Sequence, residues 1–197
     1  ANLVASSMGG GIALAMSLDY PRQVRSLVLL ATLGLGTKLG VTFRLMSIPI
    51  IGELLVPVDA KGIRREVLRI TKGDQWLWEG LVKETEELAH NVESRQFFFK
   101  LLRWGVSVFG GVRARASVDS ELSDIDVPVQ LIWGRQDTVF PLAVAHSAVE
   151  RIPDAELVVL ENCGHMPHLE RPEELTQCVI QFLASTESQL GSRVNSD

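Results

Sequence analysis

The stretch Asn2-Leu3-Val4-Ala5-Ser6-Ser7-Met8-Gly9-Gly10-Gly11 decides how the rest of the chain is read. Leu3, Val4 and Ala5 read as the end of a short buried strand, and Ile12 to Leu18 as the helix that follows. Between them lies a turn with small residues, Ala5 and Gly9, on either side of Ser7. A sharp strand-to-helix turn lifts its central side chain clear of the sheet and aims the next backbone N–H, that of Met8, at the same point. The helix N-terminus adds partial positive charge there. Read alone, the stretch is also compatible with a Gly/Ser-rich turn that carries no chemistry, so its partners must be sought downstream.

The segments that follow alternate between strand and helix. Val24–Ala31 is an apolar run of strand length, parallel to the first strand because a helix connects them. From about Leu39 to Val118 the pattern changes to apolar residues at helical spacing, around Phe43, Ile63, Trp76, Leu88 and Phe97 to Trp104, with no convincing strand pair. The core resumes at Asp126-Val127-Pro128, with a strand over Val129–Trp133, a helix from Pro141 through Ile152 and a strand over Glu156–Leu160. A last helix runs from Pro172 to about Ala184, before a frayed tail.

An activated serine needs a base within hydrogen-bond reach and an acid that orients the base. Asp137 follows the strand Val129–Trp133 and His165 follows Glu156–Leu160, so Ser7, Asp137 and His165 fall on the same edge of a parallel sheet, where open α/β sheets bind ligands. His168 competes with His165 for the base, but Gly164 favours a tight turn that projects His165. Ser6 is expected to line the substrate pocket.

These stretches resemble the α/β-hydrolase family. Ala5-Ser6-Ser7-Met8-Gly9 is similar to its G-x-S-x-G nucleophile elbow, with alanine for the first glycine. Trp133-Gly134-Arg135-Gln136-Asp137 resembles the W-G-x-x-D acid loop, and Gly164-His165 through Glu170 the G-H-x-x-x-x-E histidine loop. The resemblance implies an α/β fold with a mostly parallel sheet flanked by helices. The core would comprise residues 1–33 and 119–197, and residues 34–118 would form an inserted helical cap. It implies catalytic roles for Ser7, Asp137 and His165, an oxyanion donor at the Met8 N–H, and cleavage of an ester or related carbonyl compound through an acyl-enzyme. Carbon–carbon bond hydrolases share the Ser-Met-Gly-Gly elbow but commonly carry tryptophan where this chain has Met166. They stand as the alternative, beside a ligand-binding protein on the same fold and a decayed partial copy.

The chain begins without Met on what reads as the middle of a fold, and the expectation is a chain lacking its N-terminal half-sheet. The second oxyanion donor of the family would then lie outside these residues, leaving the chain alone nearly inactive. With 197 residues, 46% of them hydrophobic, the rest suffices for one sizeable core. A net charge of -5 and no basic stripe argue against nucleic acid. Gly34-Leu35-Gly36-Thr37-Lys38-Leu39-Gly40 has the wrong spacing for a dinucleotide loop and reads as a flexible hinge, so no cofactor is expected. His165 and His168 lack further ligands, so no metal is expected either. Cys163 and Cys178 show no paired-motif spacing, and a reduced, cytoplasmic protein is the expectation. Leu39–Val58 is apolar but broken by Arg44, Pro49 and Glu53, which argues against a transmembrane segment and leaves buried packing, a lid or a lipid-touching surface. The partner expected is a small apolar substrate.

Overall fold

The computed structural model describes residues 1–56, 59–72 and 78–194. Four strands form one parallel sheet in the order β1 (Asn2–Ser6), β2 (Ser26–Leu30), β5 (Val129–Gly134), β6 (Ala155–Leu160). The register pairs Ala5 with Leu29, Leu29 with Leu131, and Leu131 with Leu157. Every residue of β2 and β5 is buried, whereas β1 and β6 are only partly so. That explains why the central strands read as unbroken apolar runs: a parallel sheet covered on both faces has no polar side to alternate with.

The side chains of β2 divide between two cores. Leu27 and Leu29 pack with Leu131 and Trp133 against α1 (Met8–Asp19) and α7 (Ala143–Val149), through Leu14, Val144 and Ala148. Val28, Leu30 and Ile132 face the other way, onto Leu175 and Phe182 of α9 (Pro172–Val194). α9 continues ten residues past the end expected from sequence. Ser185 and Thr186 are helical where a tail was expected, with their hydroxyls turned back onto the carbonyls of Phe182 and Leu183.

Between β2 and β5 lie the helices α2 (Val41–Met46), α3 (Ile51–Leu55), α4 (Ala60–Ile70), α5 (Glu79–His90) and α6 (Val92–Gly105). Asp59 and Asn91 cap α4 and α6 by accepting from the N–H groups of Gly62 and Ser94. Ile63, Val67, Trp78 and Val82 form a separate small core between α4 and α5. The segment is not wholly helical: β3 (Val106–Ser107) and β4 (Gly111–Val112) form a short antiparallel pair. Sequence reading missed it because two-residue strands carry no periodicity. Its turn depends on Gly111, whose φ of 70° suits glycine. The helical spacing around Trp76 and Leu77 and the end of the Leu39–Val58 segment lie outside the described residues. Among the described residues no helix is long and apolar enough to cross a membrane.

The glycine-rich stretch after β2 is not a free hinge. The Gly34 carbonyl accepts from the Val118 N–H and the Ser117 hydroxyl, Gly40 N–H donates to Val139 O, and Leu35 is fully packed in the main core. The aromatic run divides by position. Phe99 is buried beneath the Arg103 guanidinium, whereas Phe97 and Trp104 are exposed.

Truncating Leu131, which is wholly buried at the centre of the sheet, should lower the unfolding free energy by about 2–5 kcal/mol in urea titrations. Ile180→Ala, on the exposed side of α9, should change it by about 0.5 kcal/mol or less.

Candidate active site

The turn between β1 and α1 holds Ser7 at φ 52°, ψ −119°, a region that costs a residue with a Cβ about 1–3 kcal/mol. Backbone hydrogen bonds pin it there. Ser7 N–H donates to Leu30 O at 2.9 Å, and Ser7 O accepts from Leu33 N–H at 3.0 Å and Gly10 N–H at 3.1 Å. A Cβ at Gly9 would meet nothing, whereas one at Gly10 would overlap the Thr32 side chain, so α1 approaches the sheet most closely one residue later. The Met8 side chain is exposed, and its N–H opens α1 with no backbone acceptor among the described residues. Ser6 ends β1 half-buried, paired with Leu30.

The loop after β5 starts from an anchored tryptophan. Trp133 is fully buried and its Nε1–H donates to Phe140 O at 2.9 Å, folding Gly134–Phe140 back over the strand end. The Asp137 side chain is sealed from solvent inside this loop. Its Oδ1 accepts from the N–H groups of Val139 (2.7 Å) and Phe140 (3.1 Å), which leaves Oδ2 directed outward. The loop after β6 lies against the first one. A Cβ on Gly134 would overlap the carbonyl oxygens of Cys163 and Gly164. Gln136 bonds Cys163 twice, its N–H to Cys163 O and its Oε1 from Cys163 N–H.

That contact brings the histidine into place. His165 Nδ1 lies 3.0 Å from Asp137 Oδ2, and His165 Nε2 lies 3.2 Å from Ser7 Oγ. A carboxylate oxygen only accepts, so Nδ1 carries the proton and Nε2 presents a lone pair to the serine hydroxyl. Phe140 packs against the imidazole at 5.5 Å between ring centroids. Thus residues from three strand ends form one hydrogen-bonded relay, with Ser7 and His165 158 positions apart in sequence. Such a relay can raise the nucleophilicity of a hydroxyl and return its proton to a leaving group.

The neighbouring candidates fall elsewhere. His168 is exposed on α8 (Pro167–Glu170), its pKa lowered by partial desolvation and then by His165. His90 and His146 are exposed on helices. The Cys163 thiol is pushed up to about 12, first by burial and then by the Glu170 charge, which makes it a poor nucleophile. Among the described residues no group of His, Cys, Asp and Glu is placed to hold a metal ion.

Two partners of His165 escaped the sequence reading: the Ile70 carbonyl, which accepts its N–H at 2.8 Å, and the Glu170 carboxylate, which receives the N–H groups on either side of it. The glutamate was visible as the end of a motif, five residues past the histidine. A backbone carbonyl has no sequence signal.

A cavity of about 380 Å³ opens beside this site within the helical segment. Phe43, Met46, Val67, Leu88 and Phe98 line it, with Glu66, Thr85, Ser94 and Arg95 as its polar members. Ile70, whose carbonyl accepts the His165 N–H, and Met166, the next residue along from the histidine, both line it. Neither Ser6 nor Ser7 is in its wall.

A parallel sheet with a strained serine, an acid and a histidine at its carboxyl edge is the arrangement of the α/β-hydrolases, and the chain belongs to that family, whose pattern it matches over residues 1–177. Its relatives include monoacylglycerol lipase ABHD6 of Bos taurus, 30% identical over 98% of this chain and 57% of the relative. A 2-hydroxy-6-oxononadienedioate/2-hydroxy-6-oxononatrienedioate hydrolase of a Pseudomonas species is 28% identical over 93% of this chain and 63% of its own length. The chain therefore spans less than two thirds of these relatives. Among solved structures, a 2-hydroxy-6-oxo-6-phenylhexa-2,4-dienoate hydrolase from Rhodococcus superposes with a TM-score of 0.78 over 93% of this chain and 64% of that one. At 20% identity that likeness speaks to the fold alone.

The thiol chemistry gives a direct check. At pH 8 a group with a pKa near 12 is ionised to only about one part in 10⁴, so Cys163 should stay silent to Ellman's reagent in the native protein. It should react once the protein is unfolded in guanidinium.

Proposed function

We propose that the protein containing this chain is a serine hydrolase that cleaves an ester of an apolar acyl group through an acyl-enzyme on Ser7. The observation that carries this reading is the continuous relay from Asp137 through His165 to a serine held in a strained turn. Ser7 shares its positive φ with Ala31, Ile50 and Asn162, but of these four only Ser7 presents a hydroxyl to the histidine.

In the proposed reaction His165 Nε2 takes the Ser7 proton as Oγ attacks the ester carbonyl. The carbonyl π electrons move to its oxygen, and the Met8 N–H at the start of α1 donates to that oxyanion. Collapse of the tetrahedral species expels the alcohol, which receives the proton from His165. Water then enters, again losing its proton to His165, and its attack releases the acid and restores the Ser7 hydroxyl. Asp137 keeps the proton on Nδ1 throughout and stabilises the imidazolium. Residues 34–118 act as the cap over this site, and the 380 Å³ cavity within them takes the apolar part of the substrate. Ser6 sits beside the nucleophile at the substrate's edge. No cofactor enters these steps.

The relatives divide between a monoacylglycerol lipase and a hydrolase named for a dienedioate substrate. The wall favours the lipid-like side because most of its lining is aliphatic or aromatic, while its charged members, Glu66 and Arg95, are of opposite sign and Glu66 is already paired with Arg69. The ester reading and the carbon–carbon reading therefore separate by substrate, and a binding protein separates from both by turnover.

Fluorophosphonate should add once to the complete gene product carrying this chain, as read by intact mass, and the adduct should vanish in Ser7→Ala and His165→Ala. Asp137→Asn should lower kcat by about 10³–10⁴-fold. A well-folded protein that takes no label would remove the serine-hydrolase reading. Filling the cavity from its open side with Leu88→Trp should reduce turnover of long-chain monoacylglycerols while sparing an acetate ester. Preferential turnover of 2-hydroxy-6-oxo-dienoates would instead favour carbon–carbon cleavage.

A further inference from the structure

We propose that Glu170 is a positioning residue that makes the alignment of His165 depend on the docking of residues 70–72 from the helical segment. This goes a step beyond the serine-hydrolase reading and rests on it for the kinetic consequence.

The carboxylate is 4% exposed and has no ion-pair partner among the described residues. Its charge is met by backbone dipoles alone. Oε2 accepts from Gly164 N–H at 2.7 Å and from Lys72 N–H, and Oε1 accepts from Met166 N–H at 2.7 Å. The remaining N–H of this turn, that of His165 itself, donates to Ile70 O at 2.8 Å. All three consecutive amides of the histidine turn are therefore fixed, two by one side chain and one by the chain leaving α4. Residues 70–72 take part on both counts, through the Ile70 carbonyl and the Lys72 amide.

The fit leaves no slack. A Cβ on Gly164 would overlap Ile70 O and Thr71 Cα, so the histidine turn and residues 70–72 are in backbone contact. Thr71 is itself buried, and its hydroxyl is tied to Val67 O in the last turn of α4. Moving residues 70–72 away would free the His165 amide and leave a buried carboxylate short of one donor, a costly state. Such a carboxylate re-forms its bonds by pulling the segment back. The histidine is thus held in register with the serine only while the end of α4 is seated.

Two variants of the complete gene product test this. Lys72→Pro deletes the one N–H that the segment gives to Glu170, and Glu170→Gln leaves the side chain in place with one acceptor oxygen. Thr71 is already extended, at φ −116° and ψ 168°, as a residue before proline requires. Hydrogen–deuterium exchange should show faster exchange at residues 164–166 in Lys72→Pro, with the sheet amides unchanged. Turnover of a short aryl ester should fall on the order of 10²-fold in kcat with KM held within about twofold, as misplacement of a base predicts. Glu170→Gln should shift both readouts in the same direction.

Unaltered exchange at 164–166 in a folded Lys72→Pro would overturn the coupling, as would accelerated exchange with wild-type kcat. If the unmutated protein takes no fluorophosphonate label, the hydrolase reading falls. The exchange experiment still decides whether residues 70–72 hold the histidine turn.

Discussion

Backbone contact between the loops that leave β5 and β6 is the constraint on which the site depends. Gly134 gives the room for it, because any side chain there would strike the Cys163 and Gly164 carbonyls. Gln136 then ties the two loops by a pair of bonds to Cys163. The rest is geometry: once the loops touch, Asp137 Oδ2 and His165 Nδ1 can be 3.0 Å apart although their side chains come from different strands. Buried Trp133 fixes one side through its bond to Phe140 O, and Glu170 fixes the other. The relay is held from outside: the Asp137 carboxylate accepts from two backbone N–H groups, and the main chains of Ser7 and His165 are bonded to the Leu30 and Ile70 carbonyls, as preorganisation requires.

The sheet supplies the third member at a fixed distance. Parallel pairing of β1, β2, β5 and β6 puts the ends of all four strands on one edge, so Ser7, Asp137 and His165 need only short loops to meet. The two central strands bury both faces, through α1 and α7 on one side and α9 on the other. This is where the stability lies. The helical segment between β2 and β5 has its own small core around Trp78 and contributes the cavity.

How much could be read beforehand follows from the range of each signal. The relay residues were legible because each sits in a local pattern: Ser7 in a strand-to-helix turn, Asp137 after Trp133-Gly134, and His165 after Gly164. The strands were legible because burial on both faces makes an apolar run. The hairpin of Val106–Val112 was not, since two-residue strands fall below any periodicity. Nor was the length of α9, where Ser185 and Thr186 look like a tail until their hydroxyls are seen bonding backward. The glycines after β2 suggested a hinge because the tertiary bonds that fix Gly34 and Gly40 come from Val118 and Val139, far away in sequence. The Ile70 carbonyl could not have been found at all, because every residue has one.

The dihedral angles of Ser7 carry a last implication. At φ 52° glycine would relieve the backbone and serine does not, so the turn holds its hydroxyl at a cost in backbone strain. Ser7→Gly is thus a change that would ease the backbone while removing the oxygen that His165 faces.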